Sequence, residues 1–190
     1  MKEVGDTSIL SELYLYWDTK RAGREMPART DVDPIDIPLL LPYITLVERE
    51  TDGAFRYRLM GTAVSRQLGR DLTGQRVGFH VRPAAYGKKM AEIYEAVFSS
   101  HRPLFTSGEY KSAYGTIHVT CRLTAPLSRN GDVAMAIAAR IARSAPSIAT
   151  SADWTLDAVG EVLSVTPVAT IDELERLCQE WTQRYAADGS

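Results

Sequence analysis

The sequence is poor in the residues that build metal, thiol and nucleophilic centres. Its 190 residues include two cysteines and three histidines. Cys121 and Cys178 stand in unrelated contexts, which indicates neither a disulfide framework nor a thiolate metal site, and reduced thiols are typical of the cytoplasm. Gly-x-Ser-x-Gly, Walker, Gly-x-Gly-x-x-Gly and His-Glu-x-x-His motifs are missing from the sequence. We therefore expect neither a catalytic residue nor a bound metal.

Long apolar runs and charge of one sign are also missing. The stretch 133–139 is far shorter than the roughly 20 residues that cross a bilayer, and the first ten residues are too acidic for a signal peptide. A net charge of −2, with both signs scattered along the chain, provides no basic stripe for a nucleic-acid backbone. We expect a cytoplasmic protein that binds neither membranes nor nucleic acid.

The composition is that of a globular chain with one core, since hydrophobic residues make up 45% and charged residues 24% of it. The patterns divide the chain into three parts. Residues 1–42 are expected to form an N-terminal helix and a proline-rich strap, residues 43–145 the core of the domain, and residues 146–190 a C-terminal helical extension.

The N-terminal part combines a helix with an irregular segment. Thr7–Arg21 has a broad apolar and aromatic stripe at helical spacing, and Asp6 or Thr7 is suited to cap it. The proline-rich strap, Gly23–Pro42, is too rich in proline for a strand and too apolar for a free linker, so we expect it to wrap over the domain. Its acids are expected to form turns or to pair with nearby arginines: Asp31, Asp33, Asp36 with Arg21, Arg24, Arg29.

Alternating side chains predict five strands, at 43–50, 54–60, 103–110, 114–127 and 132–143. Asp52-Gly53 and Asn130-Gly131 are typical of tight hairpin turns. A longer helix is predicted over 83–98, and Thr170 with Glu173 has the spacing of a capping box for a terminal helix over 170–185. Two strands, helices and three strands indicate an α+β fold, in which a five-stranded antiparallel sheet carries its helices on one face.

The same order resembles the PAS domain family, and the residues resemble its small bacterial branch without an attached kinase or cyclase. The resemblance covers residues 9–142, and the strap block is its most specific part. The matching blocks are Leu13–Trp17, Arg21–Arg29, Asp31–Pro34, Phe55–Leu59 with Gly61-Thr62, and Gly69–Gly74.

This resemblance implies a non-enzymatic sensory or regulatory module that works through a small ligand, protein contacts or both. The aromatic N-terminal helix and the Ala-rich outer face of the last strand then favour a homodimer or a signalling-protein partner. The alternative is a small-molecule enzyme or carrier, for which only His80 and Asp71 qualify. His80 is also the one candidate for an axial haem ligand, although a structural role accounts for it better. The sequence identifies no cofactor.

A pocket between the sheet and the helices is the expected binding site. Ordinary core packing is the stronger interpretation of its apolar lining, and Cys121 is expected to be a buried, inert thiol. Arg58, Arg70 and Asp71 are expected either to orient a polar or anionic ligand at the mouth or to make structural hydrogen bonds. The lining residues are Tyr57, Tyr94, Ile117, Val119, Cys121, Met135 and Ile137.

Overall fold

The computed structural model describes residues 6–78, 84–111, 117–144 and 160–185. Its elements follow the expected order, with one strand more than the sequence suggested. They are α1 (Ser8–Arg21), β1 (Ile44–Arg49), β2 (Phe55–Met60), α2 (Thr62–Leu68), α3 (Ala84–Ser100), β3 (Leu104–Lys111), β4 (Ile117–Arg129), β5 (Asp132–Ser144), β6 (Gly160–Pro167) and α4 (Ile171–Arg184).

The strands form one antiparallel sheet in the order β2-β1-β5-β4-β3-β6. Both predicted hairpin turns are confirmed, because Gly53 (φ +83°), Asn130 (φ +54°) and Gly131 (φ +91°) adopt the positive φ that such turns need. The α+β class is therefore as expected, but the count of five strands is wrong. The C-terminal extension was expected to be helical, but it contributes strand β6 as well as α4, and β6 pairs with β3 and extends the sheet at that edge.

The sheet is covered on both faces. On one, the α3 face, α2 and α3 pack against a cluster that includes Val47, Phe55 and Ala136. On the other, the α1 face, α1 and α4 pack against a larger cluster that includes Leu123 and Ile141. The central strands β4 and β5 thus contribute alternate residues to two separate cores.

The faces of β4 and β5 are the reverse of the expected ones. We expected Val119, Cys121 and their neighbours to face the pocket under α3, and the alanines of β5 to accommodate the N-terminal helix. Instead, Val119 and Cys121 pack on the α1 face, whereas Ala136 lies beneath α3. The reason is side-chain volume, since α3 brings the large rings of Tyr94 and Phe98 to the sheet and needs small residues opposite them.

Helix α1 is anchored to the sheet by hydrogen bonds as well as by apolar contacts. The Trp17 indole Nε1–H donates to the carbonyl oxygen of Pro126 at 2.8 Å, and the Tyr14 hydroxyl donates to that of Ala169 at 2.9 Å. At its start, the Asp6 carboxylate accepts the amide of Ser8 at 2.9 Å, as the expected cap requires. The helix is an integral layer of the domain.

The proline-rich strap is irregular and packed, as expected. Three short 3-10 helices interrupt it, at Arg29–Asp31, Pro34–Asp36 and Leu41–Tyr43. The Pro27 carbonyl accepts the amide of Ser128 at 2.9 Å, which ties the strap to the end of β4. The buried apolar residues of the strap are Met26, Val32, Ile37 and Leu40.

The expected pairing of the strap's acids is confirmed at one position. Arg24 and Asp31 form an ion pair at 2.6 Å. Asp36 instead pairs with Lys20 at 2.8 Å, and the Asp33 carboxylate accepts the amide of Ile35. Arg21 pairs with an acid of its own helix, Asp18, outside the strap.

The terminal helix α4 begins as its sequence predicts. The Thr170 hydroxyl accepts the amide of Glu173 at 3.2 Å, and the Glu173 carboxylate accepts the amide of Ala169 at 2.9 Å. The reciprocal bond therefore reaches one residue further back than in the standard capping box. The helix buries Leu174, Cys178 and Trp181.

Two leucines on α1 test the docking of this helix. Leu13 is fully buried, whereas Leu15 is 50% exposed. We expect Leu13→Ala to lower the free energy of unfolding by about 2–5 kcal/mol, and Leu15→Ala to change it by less than about 0.5 kcal/mol. Urea denaturation followed by circular dichroism measures both. Equal effects of the two substitutions would contradict the packing of α1 on the sheet.

Candidate functional site

The floor of the α3 face is aromatic on the β2 side. The Phe55 ring lies 5.6 Å from the ring of Tyr94 and 5.4 Å from that of Phe98, measured between centroids. Tyr57 on β2 belongs to the same buried cluster. These rings hold α3 against the sheet, and α3 also contacts β4, β5 and β6.

The start of α3 is held by a close approach of two backbones. A Cβ at Gly87 would lie 2.5 Å from the Cα of Gly78, which is closer than real carbon atoms pack. The segment before Gly78 is itself paired with β2, since Tyr57 exchanges hydrogen bonds with Gly74 (2.8 Å) and Gln75 (3.0 Å). The position of α3 above the sheet is therefore fixed through residues 74–78.

A polar row crosses the sheet beneath α3. Thr106 on β3 pairs with Arg122 on β4, which pairs with Arg140 on β5. Directly paired residues project on the same face, with Cβ atoms about 4.5–5.5 Å apart. Arg122 contacts α3, because its guanidinium lies 3.4 Å from the Tyr94 hydroxyl and 3.7 Å from the Met90 sulfur. The row thus faces the space between sheet and helix.

The charges of this row are concentrated and partly removed from water. Arg140 is 3% exposed, and Arg122 beside it is half-buried. Two guanidinium groups on neighbouring strands repel one another, and a low-dielectric setting strengthens both that repulsion and their attraction for an anion. A carboxylate or phosphate between them would accept several charge-assisted hydrogen bonds at once. The row is chemically suited to bind an anionic group.

A buried hydroxyl adds to the same surface. Thr124 on β4 lies two residues from Arg122, on the same side of the strand, and is 0% exposed. Among the described residues its Oγ1 has no hydrogen-bond partner. A buried hydroxyl without a partner costs about 1–3 kcal/mol, so a ligand atom that bonds to Thr124 would recover part of this free energy.

His118 extends the row toward the start of β4. Burial lowers the pKa of its imidazole below the ordinary value of 6.5, and the positive charge of Arg140 lowers it further. The electrostatic influence of Arg140 therefore reaches along the strand. The neutral imidazole can donate or accept a hydrogen bond without adding to the positive charge of the row.

In the described part of the chain, the residues that the sequence nominated for the pocket do not lie together. Tyr57 and Tyr94 lie on the α3 face, whereas Val119, Cys121 and Met135 belong to the core of the α1 face. The sheet itself separates these two groups. Ile137 also packs on the α1 face, and the side chain of Ile117 lies outside the described part of the chain.

Both cysteines have the character of core residues. Burial raises the pKa of the Cys121 thiol well above its ordinary value, and burial raises that of Cys178 to about 12. Both groups are therefore protonated thiols at neutral pH, a form that reacts poorly with oxidants and metals. The structure agrees with the expected inert thiol at Cys121.

The nominated polar residues also separate. Arg58 lies on the side of the sheet opposite α3 and pairs with Glu48. Arg70 and Asp71 are exposed, and the Asp71 carboxylate accepts both the amide (2.8 Å) and the hydroxyl (2.7 Å) of Thr73, which lowers its pKa. Asp71 thus makes structural hydrogen bonds, one of the roles considered for it. His80 lies outside the described residues.

Sequence reasoning missed Arg122, Arg140, Thr106 and Thr124. Two signals in the sequence pointed to the arginines. Arg140 interrupts the stretch 133–142 of β5, which is otherwise apolar, and Arg122 alternates with apolar residues in a strand of the same sheet. A charge inside a strand that is buried on both faces must be paired or hydrogen-bonded, so such a residue marks a polar cluster.

The described residues contain neither a cluster of metal ligands nor a helix that could span a membrane. In this part of the chain, no three His, Cys, Asp or Glu side chains come together as a metal site would require. Across the same residues, no helix has both the length and the apolar character needed to cross a bilayer.

Comparison with protein families gives one clear result. A family model described as a PAS domain matches residues 6–139, which include α1, the strap, and the chain from β1 into β5. The comparison with curated proteins gave no match.

Several solved structures are similar to this chain. VqmA bound to DPO has 13% identity and a TM-score of 0.47, over 59% of this chain and 57% of that one. The PAS domain of Bordetella pertussis BvgS has 15% identity and a TM-score of 0.42, over 80% and 99%. The PAS domain of an HTR-like protein from Haloarcula marismortui has 14% identity and a TM-score of 0.38, over 58% and 89%. This chain spans 54–62% of the length of the VqmA chains that it matches, including Vibrio cholerae VqmA.

The pKa of His118 reports on the positive charge of the polar row. We expect its NMR titration, followed from about pH 8 to about pH 5, to have a midpoint below 6.5. Arg140→Gln should move that midpoint upward, because it removes a positive charge that opposes protonation. A midpoint at or above 6.5 in the unaltered protein would contradict the arrangement of the row.

The lowered pKa of His118 also determines whether the stability of the protein rises or falls with pH. Because the folded-state pKa of His118 lies below the unfolded value, the unfolded chain binds the proton more readily. The contribution of His118 to stability is complete above pH 6.5 and is lost as the pH falls through the folded pKa. In His118→Gln, the free energy of unfolding should therefore fall less between pH 6.5 and lower pH than in the unaltered protein. Urea denaturation at each pH measures this free energy.

Proposed function

The chain belongs to the PAS domain family, and we propose that it is a non-enzymatic sensory module that binds a small anionic molecule between the sheet and α3. The observation that carries this proposal is the pair of adjacent arginines, Arg122 and Arg140, beneath that helix. Sensing and ligand binding are typical roles of the family, and the charge of the row supplies the chemical class of the ligand.

The proposed ligand has a carboxylate or phosphate group and a small apolar body. Two guanidinium groups on neighbouring strands match the paired oxygens of such a group. Thr106 and Thr124 supply hydroxyls beside them, and Met90 with the aromatic rings of α3 supplies apolar contacts. This combination of a few polar groups with an apolar wall is typical of small-molecule sites.

Strand β5 gives this site a route to the opposite face. Arg140 projects toward α3, while its neighbours Ala139 and Ile141 pack in the core beneath α1 and α4. A ligand that shifts β5 or changes its twist therefore alters the packing of α1. We propose that α1, whose outer side exposes Leu15, transmits the signal to a second copy of the chain or to a signalling protein in the cytoplasm.

The enzyme or carrier alternative has less support. Its two candidate residues were His80, which lies outside the described residues, and Asp71, whose carboxylate is engaged by Thr73.

Arginine substitutions test the proposed site. We expect the protein purified from its own host to carry a small acid that native mass spectrometry detects and denaturation releases. Arg122→Gln should lose this mass, or bind the released acid about tenfold to a hundredfold more weakly, because a hydrogen bond to a charged group contributes about 1.5–3 kcal/mol. Arg176→Gln on α4, an exposed arginine on the other side of the sheet, serves as the matched control.

A second measurement needs no prior ligand. Citrate, acetate and sulfate are added at constant ionic strength, with chloride as reference, and thermal unfolding is recorded. Binding to the folded state raises the midpoint of unfolding. Sulfate and citrate also stabilise folded proteins without occupying a site, so we expect a larger rise in the unaltered protein and in Arg176→Gln than in Arg122→Gln. A bare mass together with equal rises in all three proteins would refute anion binding at this site.

A further inference from the structure

A β-bulge places an arginine on the outer side of the first hairpin. The pairing of β1 with β2 runs Leu46 to Leu59 and then Val47 to Tyr57, so Arg58 is the extra residue of β2. The bulge brings Leu59 to the α1 face beside Arg58, although neighbouring residues of a regular strand face opposite ways. Bulges often redirect side chains at binding sites.

A buried carboxylate holds two arginines at this place. Glu48 on β1 is 8% exposed. One of its oxygens pairs with Arg58, and the other accepts the guanidinium of Arg129 at 2.6 Å. Arg129 is the last residue of β4, so the carboxylate joins the two hairpins. Both guanidinium groups remain about half exposed and keep donors for a further partner.

The strap brings a third arginine to the same place. The Ser128 amide donates to the Pro27 carbonyl at 2.9 Å, and Ala28 forms a bridge with Ser128. Arg29 follows directly, and one of its nitrogens donates to the Val32 carbonyl at 3.0 Å. The contact between the strap and β4 thus orders a side chain that is far from Arg58 and Arg129 in the sequence.

Together these residues line an open groove of about 410 Å³, the strap groove. Three arginines and one carboxylate line it, which gives a formal charge of +2. The remaining lining is apolar, and Met135 and Leu46 are each less than a tenth exposed. The lining residues are Arg29, Leu46, Glu48, Arg58, Leu59, Arg129 and Met135.

We infer that the strap groove is a second binding site, which takes an amphipathic organic anion. Its head, a carboxylate or phosphate, binds between the guanidinium groups of Arg29 and Arg129, and its apolar chain lies on Leu59 and Met135. The volume falls in the range of roughly 300–1,000 Å³ that is typical of small-molecule sites. This inference does not depend on the proposed sensory site, which lies on the opposite face of the sheet.

The charge and the apolar floor select this ligand class together. A simple inorganic anion would bind the arginines but leave the apolar lining of the groove exposed to water. A neutral apolar molecule would leave the guanidinium groups without a counter-charge. A molecule with both parts gains apolar contact and charge-assisted hydrogen bonds at once. Glu48 keeps the two arginines that it holds in place before the ligand arrives, so less order is lost on binding.

Three probes with the same eight-carbon chain test the inference: octanoate, octyl phosphate and octanol. Binding to the full chain is followed through the methyl NMR signals of Met135 and Leu59 and by calorimetry. We expect at least one of the two anions to shift both signals and to bind at least about tenfold more tightly than octanol, since one charge-assisted contact corresponds to about this factor. The tighter of the two identifies the head group.

Substitutions on the rim decide whether the arginines are responsible. Arg29→Gln and Arg129→Gln should each weaken binding of the tighter anion about tenfold, whereas the exposed Arg176→Gln should not change it. Arg122→Gln, on the other face, should leave this binding intact even if it abolishes the site beneath α3. The two proposals can therefore fail separately.

Two results would overturn the strap groove as an anion site. One is equal affinity for octanol and both anions, which needs only the unaltered protein and so holds even if a variant fails to fold. The other is unchanged affinity in both Arg29→Gln and Arg129→Gln while the Met135 signal still shifts.

Discussion

The register of the β4–β5 hairpin is the constraint on which the rest of the structure depends. Its ladder runs from His118 opposite Ser144 to Arg129 opposite Asp132, closed by the Asn130-Gly131 turn. Because side chains alternate with a period of two, a slip of β5 by one residue would exchange its two faces while those of β4 stayed in place. Arg140 would then enter the core beneath α1, without its polar neighbours, and Ile141 would meet the helix that now contacts Arg122. The turn and the two buried faces therefore specify the same register.

Local signals in the sequence predicted most of the elements but not their mutual arrangement. The Asp-Gly and Asn-Gly turns, the stripe of α1 and the Thr170 cap are short-range features, and the structure contains all of them. Strand β6 was missed because its pairing with β3 is a long-range contact, and the sequence of β6 itself does not indicate such a contact. The faces of β5 were reversed because a strand that is apolar on both sides carries no period-two signal, and only the volumes of the opposing helices decide its orientation.

The sites were harder to predict for a related reason. Arg122 lies on the side of β4 opposite Val119 and Cys121, and because the pocket was expected on the side of those two residues, no role was predicted for Arg122. Apolar and polar residues alternate regularly around Arg58 in the sequence. The bulge that redirects its side chain is seen only in the pairing of β1 with β2. Arg29 and Arg129 are a hundred residues apart and meet through a backbone contact of the strap. When a charged site is assembled from separate elements, the sequence of each element alone does not reveal the site.

The two charged sites share β4, and the distance between them determines how they can influence one another. Arg122 and Arg129 are seven residues apart on this strand, or about 23 Å at roughly 3.3 Å per residue. Salt screens charges over about 8–10 Å under physiological conditions, so an anion at one site has little direct electrostatic effect on the other. Any coupling must pass through the packing of β4 and β5, whose residues contact α3 on one side and α1 with α4 on the other. Such a shared, closely packed hairpin responds as one body, because well-filled cores resist local deformation. A change of twist imposed by a ligand beneath α3 would therefore reach α1 and the end of β4 together.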